Sequence, residues 1–302
     1  NLKNLTRIYK LAKKKHYLKK NIQQFFKDKY NRSDTIKIAY DTQSGDYINY
    51  FKKLSKKTIN QVYFPIIETI NNNFKTSKTI LDFGCGELTT SYYILNNLKK
   101  KISKYYANDN SLNRLIVGQK YLKRKFDKDN FKKFELFCNS QYKLPFKDNS
   151  IDLVLTIHSL EPNNKIKKKI IKELYRISRQ GMILMEPHYE ISSIKQKKRM
   201  NKYGYIKGIE KTFKDLGLNH KIIKKRYHIN EDNISSLFIV YKRKNAKKNK
   251  VSYVDPLDSS KLIDYGEYLY SKNNFRVFPI IDKIKIFNND TQLFLPSIKS
   301  KQ

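Results

Sequence analysis

Apolar positions recur every three or four residues at the start of the chain, become continuous runs in its middle, and shorten towards its end. Leu2, Leu5, Tyr9 and Ala12, then Leu18, Ile22 and Phe25, keep helical spacing with lysines between them. Tyr50, Phe51, Leu54, Val62, Ile66 and Ile70 keep it again from about Tyr47 to Asn72, so residues 1–75 read as a helical cap. From Ile80 the chain alternates strand-like runs with helical stretches. Ile80-Leu81-Asp82-Phe83, Tyr105-Tyr106-Ala107-Asn108-Asp109, Ile151-Asp152-Leu153-Val154-Leu155 and Gly181-Met182-Ile183-Leu184-Met185-Glu186-Pro187 are the runs. Apolar strands separated by helices predict an α/β unit with a buried, mostly parallel sheet and helices on both faces. Tyr189 to Leu218 reads as basic helix with turns at Gly204 and Gly208. Lys221 to Tyr227 and Ser235 to Tyr241, separated by Asn-Glu-Asp-Asn, suit an antiparallel hairpin. The charged stretch Lys242 to Lys250 reads as a linker, and the tail from Val251 as short strands rich in turn formers. This gives a cap at 1–75, a nucleotide-binding unit at 76–244 and a small β-rich module at 251–302.

The chemistry gathers where the first strand ends. Asp82-Phe83-Gly84-Cys85-Gly86 joins that strand to a helix through a Gly-x-Gly turn, and glycines let the backbone approach a ligand that side chains would exclude. A dinucleotide fingerprint wants a third glycine at position 89, which is Thr89, so nicotinamide binding is disfavoured. Asp109 closes the second strand 23 residues beyond Gly86. At that separation its oxygens can accept both ribose hydroxyls; as a plain helix cap it would serve only the helix beginning near Ser111.

These segments resemble motif I and its successors in the class I S-adenosylmethionine-dependent methyltransferases. Asp82, Gly84 and Gly86 match, while Leu88 replaces the third family glycine. Asn139-Ser140, followed by Leu144-Pro145-Phe146 and the run from Ile151, is similar to the adenine loop and fourth strand, with Asn139 in place of the usual Asp. The resemblance spans about Thr76 to Lys244. It implies a Rossmann-like, seven-stranded sheet and S-adenosyl-L-methionine as cofactor. Asp82, Gly84, Cys85 and Gly86 would lie by its methionine portion, Asp109 and Asn110 by ribose, and Asn139 and Ser140 by adenine.

The tail carries a second likeness. Phe278-Pro279-Ile280-Ile281-Asp282-Lys283-Ile284 resembles the signature of the small zinc-ribbon module that activates certain tRNA and translation-factor methyltransferases. That module holds zinc through cysteine pairs, one before a proline. Here Asp255 precedes Pro256 and the tail has no cysteine, which excludes a four-thiolate site and leaves a metal-free relative of the module or a chance likeness. Two-part proteins of this kind are associated with bacterial surface-polysaccharide synthesis.

Composition adjusts this picture. Formal net charge is +37, which ordinarily points to a polyanion. Lysine rather than arginine carries most of it, together with abundant Asn, Ile and Tyr, a pattern that also follows from an AT-rich genome. No apolar run reaches the length of a membrane span. The only cysteines, Cys85 and Cys138, stand in or beside strands, which points to reduced thiols and a cytoplasmic setting. The sequence opens at Asn1 rather than Met, as expected where an upstream segment is missing.

A sulfonium is already a strong methyl donor, so the protein has chiefly to align an acceptor and exclude water. An oxygen acceptor also benefits from a base. His158 closes the fourth strand and His188 follows the fifth, its neighbour in the family's order, so the two imidazoles are expected in one pocket with Glu161 assisting. Ser159-Leu160-Glu161-Pro162-Asn163 lacks the Pro-Pro-aromatic pattern of nucleobase amino-methyltransferases. The expected activity is therefore O-methylation of a small molecule or saccharide intermediate. RNA (tRNA or rRNA) methylation through the basic surface, and a non-catalytic scaffold, remain the alternatives.

Overall fold

In the computed structural model, described over residues 37, 40–139, 143–227, 234–242, 249–288 and 293–294, strands and helices alternate as the periodicity predicts. The amphipathic stretch from Leu2 to Phe25, Ser140 and most of the Lys242–Lys250 linker lie outside the described residues. The elements are α1 (Asp46–Lys53), α2 (Lys56–Asn73), β1 (Thr79–Phe83), α3 (Thr89–Asn97), β2 (Lys104–Asp109), α4 (Leu112–Lys125), β3 (Phe134–Cys138), β4 (Ile151–Ile157), α5 (Lys167–Ile177), β5 (Ser178–Pro187), α6 (Ile194–Tyr203), α7 (Ile209–Asp215), β6 (Asn219–Tyr227) and β7 (Ser235–Tyr241). The tail adds β8 (Leu262–Asp264), β9 (Tyr268–Ser271), β10 (Arg276–Ile281), β11 (Ile284–Ile286) and β12 (Leu293–Phe294). Among the described residues no helix is long and apolar enough to cross a membrane.

The stretch expected to form a single helix from Tyr47 is two helices, because Ser55 breaks it and accepts the Thr58 N–H at 3.1 Å as the cap of α2. At the far end of the central unit, Gly204 and Gly208 take left-handed φ values of 62° and 68° and separate α6 from α7.

The sheet runs β6-β7-β5-β4-β1-β2-β3 and continues through β11-β10-β9-β8, with β12 on β10. Five central strands are parallel, and β7 pairs antiparallel with both β5 and β6. The first seven strands give the Rossmann-like architecture. The strand count differs from the expected seven, because β11 adds to β3 in parallel, Lys285 opposite Phe137 and Ile286 opposite Cys138. The resulting sheet has 12 strands. An unpaired β3 edge would expose backbone N–H and C=O groups to any passing strand, and the tail covers it.

Period-two alternation divides the core into two layers. Ile80, Tyr105, Leu155 and Leu237 face Val62, Ile66 and Ile70 of α2 and Leu115 and Leu122 of α4. Leu81, Tyr106, Val154 and Phe238 face Ile170, Ile171 and Leu174 of α5 and, from the tail, Phe278 and Phe287. Each fully buried Phe contributes on the order of 1.5–3 kcal/mol, so Phe278 and Phe287, both fully buried, make the tail part of this core. Asp255 is buried. It accepts from Arg276 Nη1 at 2.6 Å, from Asn274 Nδ2 at 3.0 Å and from the Leu257 N–H at 2.8 Å. An ion pair thus ties the loop before β8 to β10.

Candidate active site

Parallel strands β4, β1, β2 and β3 end side by side, and the loops beyond their carboxyl ends form the crevice where an open α/β sheet takes its ligand. The elbow after β1 is held in the form its glycines allow. Gly84 and Gly86 have φ of 72° and 57°, and a Cβ on Gly84 would stand 2.4 Å from the Ser159 Cβ. The Cys85 N–H bonds the Asn108 carbonyl at 2.9 Å, lashing the elbow to β2. Leu88 does what a glycine would otherwise do. Its φ is 60°, costing roughly 1–2 kcal/mol for an L-residue, but its side chain is fully buried in the core layer, with Cδ1 against Gly118 of α4. The leucine therefore leaves the crevice open.

Asp109 points at the elbow. Its Oδ2 accepts the Gly86 N–H and its Oδ1 the Ser111 N–H, both at 2.9 Å. Asp82 turns the other way, into the core, where Ser91 Oγ donates at 2.6 Å and Tyr105 OH at 3.4 Å. Burial, offset only in part by those bonds, raises its carboxyl to about 6. Asp82 thus shapes the loop from behind. The Cys85 thiol is pushed well up by burial and by the Asp109 and Asp82 charges, which leaves it inert rather than nucleophilic. Asn139 is buried beside Asp109, donating its N–H to the Asp109 carbonyl at 3.2 Å and its Nδ2 to Lys143 O at 3.2 Å. Asn110, between them, accepts from the Cys138 thiol through its carbonyl at 3.4 Å.

His158 ends β4 with a φ of 54°, which swings its ring out of the strand's alternation. Its Nδ1 lies 2.7 Å from Glu161 Oε1, and its Nε2 lies 3.3 Å from Ser235 Oγ. With Nδ1–H donated to the carboxylate, Nε2 carries the lone pair and accepts from the serine hydroxyl. Burial works to lower the imidazole's pKa, but the Glu161 bond and charge and the Glu186 charge outweigh it, and the net shift is upward.

His188 does not join this cluster. Its Nδ1 pairs with Ser236 Oγ at 2.8 Å and its ring packs on Phe238, centroids 5.1 Å apart. Ser235 and Ser236 are successive on β7, so their side chains leave opposite faces of the sheet, and the two histidines lie on different sides of it. Strand adjacency brought the backbones together; the positive φ at His158 separated the rings.

Residues 81–185 match the methyltransferase domain family. This stretch is a methyltransferase domain. An uncharacterized protein of Methanocaldococcus jannaschii is 28% identical over 264 residues, covering 86% of this chain and 96% of that protein. Among solved structures, a chain from the Haloferax volcanii complex of the Trm112 methyltransferase activator with a methyltransferase is similar at TM-score 0.48 and 13% identity. It aligns with 62% of this chain and 91% of its own length. A SAM-dependent methyltransferase from Aquifex aeolicus is similar at TM-score 0.43 and 16% identity, over 64% of this chain and 97% of that one.

The methyltransferase's crevice has further residues that no motif announced. Glu87, buried directly after the elbow, accepts the N–H groups of Gly45 at 2.9 Å and Ile48 at 2.8 Å, capping α1 and fastening the cap to the cofactor loop. Arg114, in the first turn of α4, lays its guanidinium over Gly86, where a Cβ would come within 2.4 Å of Nη2. Tyr40 and Tyr47 hold it from the cap, their ring centroids 4.9 and 4.5 Å from Cζ. Ser111 Oγ also bonds Asp41. Glu186, fully buried at the end of β5, accepts the Ser159 and Leu160 N–H groups at 3.1 and 3.2 Å, fixing the turn after His158. Burial raises its carboxyl to about 7 despite the His158 charge. A cap residue's distance in sequence from its partners hides such contacts.

Proposed function

We propose that the methyltransferase moves a methyl group onto a hydroxyl oxygen, with His158 as general base. The observation that carries this is the His158–Glu161 pair beside the glycine elbow: one ring nitrogen is fixed by a carboxylate 2.7 Å away, and the other carries a lone pair that an acceptor hydroxyl would take over from Ser235 Oγ, 3.3 Å away. Gly84 and Gly86 let the elbow pack closely, since a Cβ at either would strike Ser159 or Arg114. On this reading Gly84, Cys85 and Gly86 hold the methionine portion of the cofactor, Asp109 and Asn110 the ribose, and Asn139 and Ser140 the adenine. Bound S-adenosylmethionine supplies the methyl group from its sulfonium. His158 Nε2 takes the hydroxyl proton as the new C–O bond forms, Glu161 stabilises the imidazolium, and Glu186 keeps the His158 turn in place.

The acceptor that fits this chemistry is a sugar hydroxyl, on a small molecule or a saccharide intermediate such as those of surface polysaccharides. RNA is the second reading, favoured by the basic and aromatic segment stitched to Glu161 through the Ile206 N–H at 2.8 Å. The division into cap (1–75), catalytic unit (76–244) and tail (251–302) belongs to the same proposal, with the tail acting as a built-in cover for β3. Histidine-to-glutamine replacement tests the base: His158→Gln should keep S-adenosylhomocysteine affinity by calorimetry and lose about 10²–10⁴-fold in turnover. Full turnover in that variant would end the assignment.

A further inference from the structure

Ser192 to Gly208 holds six cations, Lys195, Lys197, Lys198, Arg199, Lys202 and Lys207, and no acidic residue. General lysine enrichment does not account for how they are arranged. The next helix, α7, answers its lysines in the usual way, pairing Lys211 with Asp215 at 2.9 Å and Lys214 with Glu210 at 2.8 Å, each one turn apart. In α6 the same one-turn positions are like-charged, Lys195 with Arg199 and Lys198 with Lys202, which disfavours the isolated helix. The helix is held instead by a capping box at Ser193 and Gln196 and by buried Met200.

Aromatic faces are interleaved with these cations. Arg199 Cζ lies 5.4 Å from the Tyr203 ring and 5.5 Å from that of Tyr205, and Lys197 and Lys207 lie 5.6 and 5.5 Å from Tyr189. Tyr203 and Tyr205 have centroids 5.8 Å apart and an interplanar angle of 38°. Lys195, Lys198 and Lys202 are exposed. The segment borders the active site: besides the Ile206 bond to Glu161, the Lys207 N–H reaches Asn164 Oδ1 at 3.2 Å. Cations that track a phosphate backbone, alternating with rings on which bases stack, are what a single-stranded polynucleotide requires.

We propose that α6 and the loop to Gly208 form a docking surface for single-stranded RNA that delivers it to the His158–Glu161 crevice. Docking alone does not depend on His158 being the base; the delivery part rests on that reading with RNA, the second acceptor reading above, as the substrate. The test uses the full chain and fluorescence anisotropy with a labelled uridine-rich single-stranded RNA. Replacing Lys195, Lys198 and Lys202 together by Ser should weaken binding about tenfold or more. The slope of log K against log salt should fall by about 0.7 for each phosphate that is no longer neutralised. Tyr203→Ala should weaken binding by about tenfold while leaving that slope unchanged, because it removes stacking and no charge.

A charge-matched control, Lys168, Lys169 and Lys172 to Ser on the exposed side of α5, should change affinity less than twofold. Equal losses from the α5 and α6 variants would overturn the proposal in favour of undirected surface charge. So would α6-dependent binding to phosphatidylserine vesicles in the absence of RNA binding. All of the substituted lysines are solvent-facing, so the variants keep their fold, and His158→Gln should bind RNA like the parent chain. Failure of the base assignment and failure of the docking surface are thereby told apart.

Discussion

Alanine at each of the two elbow glycines separates what the backbone demands from what the crevice demands. Gly84 and Gly86 have similar left-handed φ values, 72° and 57°, so each pays about 1–2 kcal/mol for an L-residue there. Their surroundings differ. A methyl on Gly84 would lie 2.4 Å from the Ser159 Cβ and 3.6 Å from its Cα, on a turn whose N–H groups are clamped by Glu186, so overpacking adds roughly 1–3 kcal/mol. Gly84→Ala should therefore cost about 2–5 kcal/mol in all, which at about 2–4 °C per kcal/mol lowers the melting temperature by about 4–20 °C. A methyl on Gly86 meets the far end of Arg114, which can swing away at the expense of its place between Tyr40 and Tyr47, a loss of about 0.5–1 kcal/mol. Gly86→Ala should cost about 2 kcal/mol while weakening S-adenosylhomocysteine, because displacing Arg114 disturbs the loop proposed to hold the cofactor. Urea unfolding at fixed pH measures the first quantity and calorimetry the second. If Gly84→Ala unfolds at the parent's midpoint, or costs less than Gly86→Ala, the described packing of the elbow on Ser159 is wrong.

Three further outcomes follow from the charges. A base must be neutral to act, and Glu161 holds the His158 pKa above its usual value, so activity should fall as pH drops through that raised pKa. Glu161→Gln should move this acidic limb of kcat/KM to lower pH, and an unmoved limb would remove Glu161 from the dyad. Glu186 has its folded pKa raised to about 7 from an ordinary 4.5, so between these values the native state binds the extra proton and stability declines as pH rises through the window. Asp82, raised to about 6, has the same sign. Melting temperature should be less sensitive to pH over that range in Glu186→Gln, whose amide oxygen can still accept the Ser159 and Leu160 N–H groups; an unchanged pH profile would contradict the burial of that carboxylate. Asp255→Ala leaves Arg276 buried without its partner and should destabilise by about 3–5 kcal/mol, read by denaturant unfolding, while a loss under 1 kcal/mol would mean the tail is not joined to the core as described.

The amino-acid sequence was enough to determine the strand-helix alternation, the glycine elbow and the acid at the tip of β2, because each depends on local periodicity or on a fixed spacing along the chain. It also marked His158 and Glu161, three residues apart on one turn. Other features were decided only by tertiary structure. Leu88 takes a glycine's conformation because the core between α3 and α4 has room for its side chain, and His188 faces away because a single positive φ rotates its neighbour's ring. Glu87, Arg114 and Glu186 find partners 26 to 74 residues away in the chain, and the tail becomes part of the main sheet by pairing β11 with β3 across about 150 residues. Contacts at such separations depend on how layers stack and which edge is left unpaired, and no periodicity in the chain encodes either.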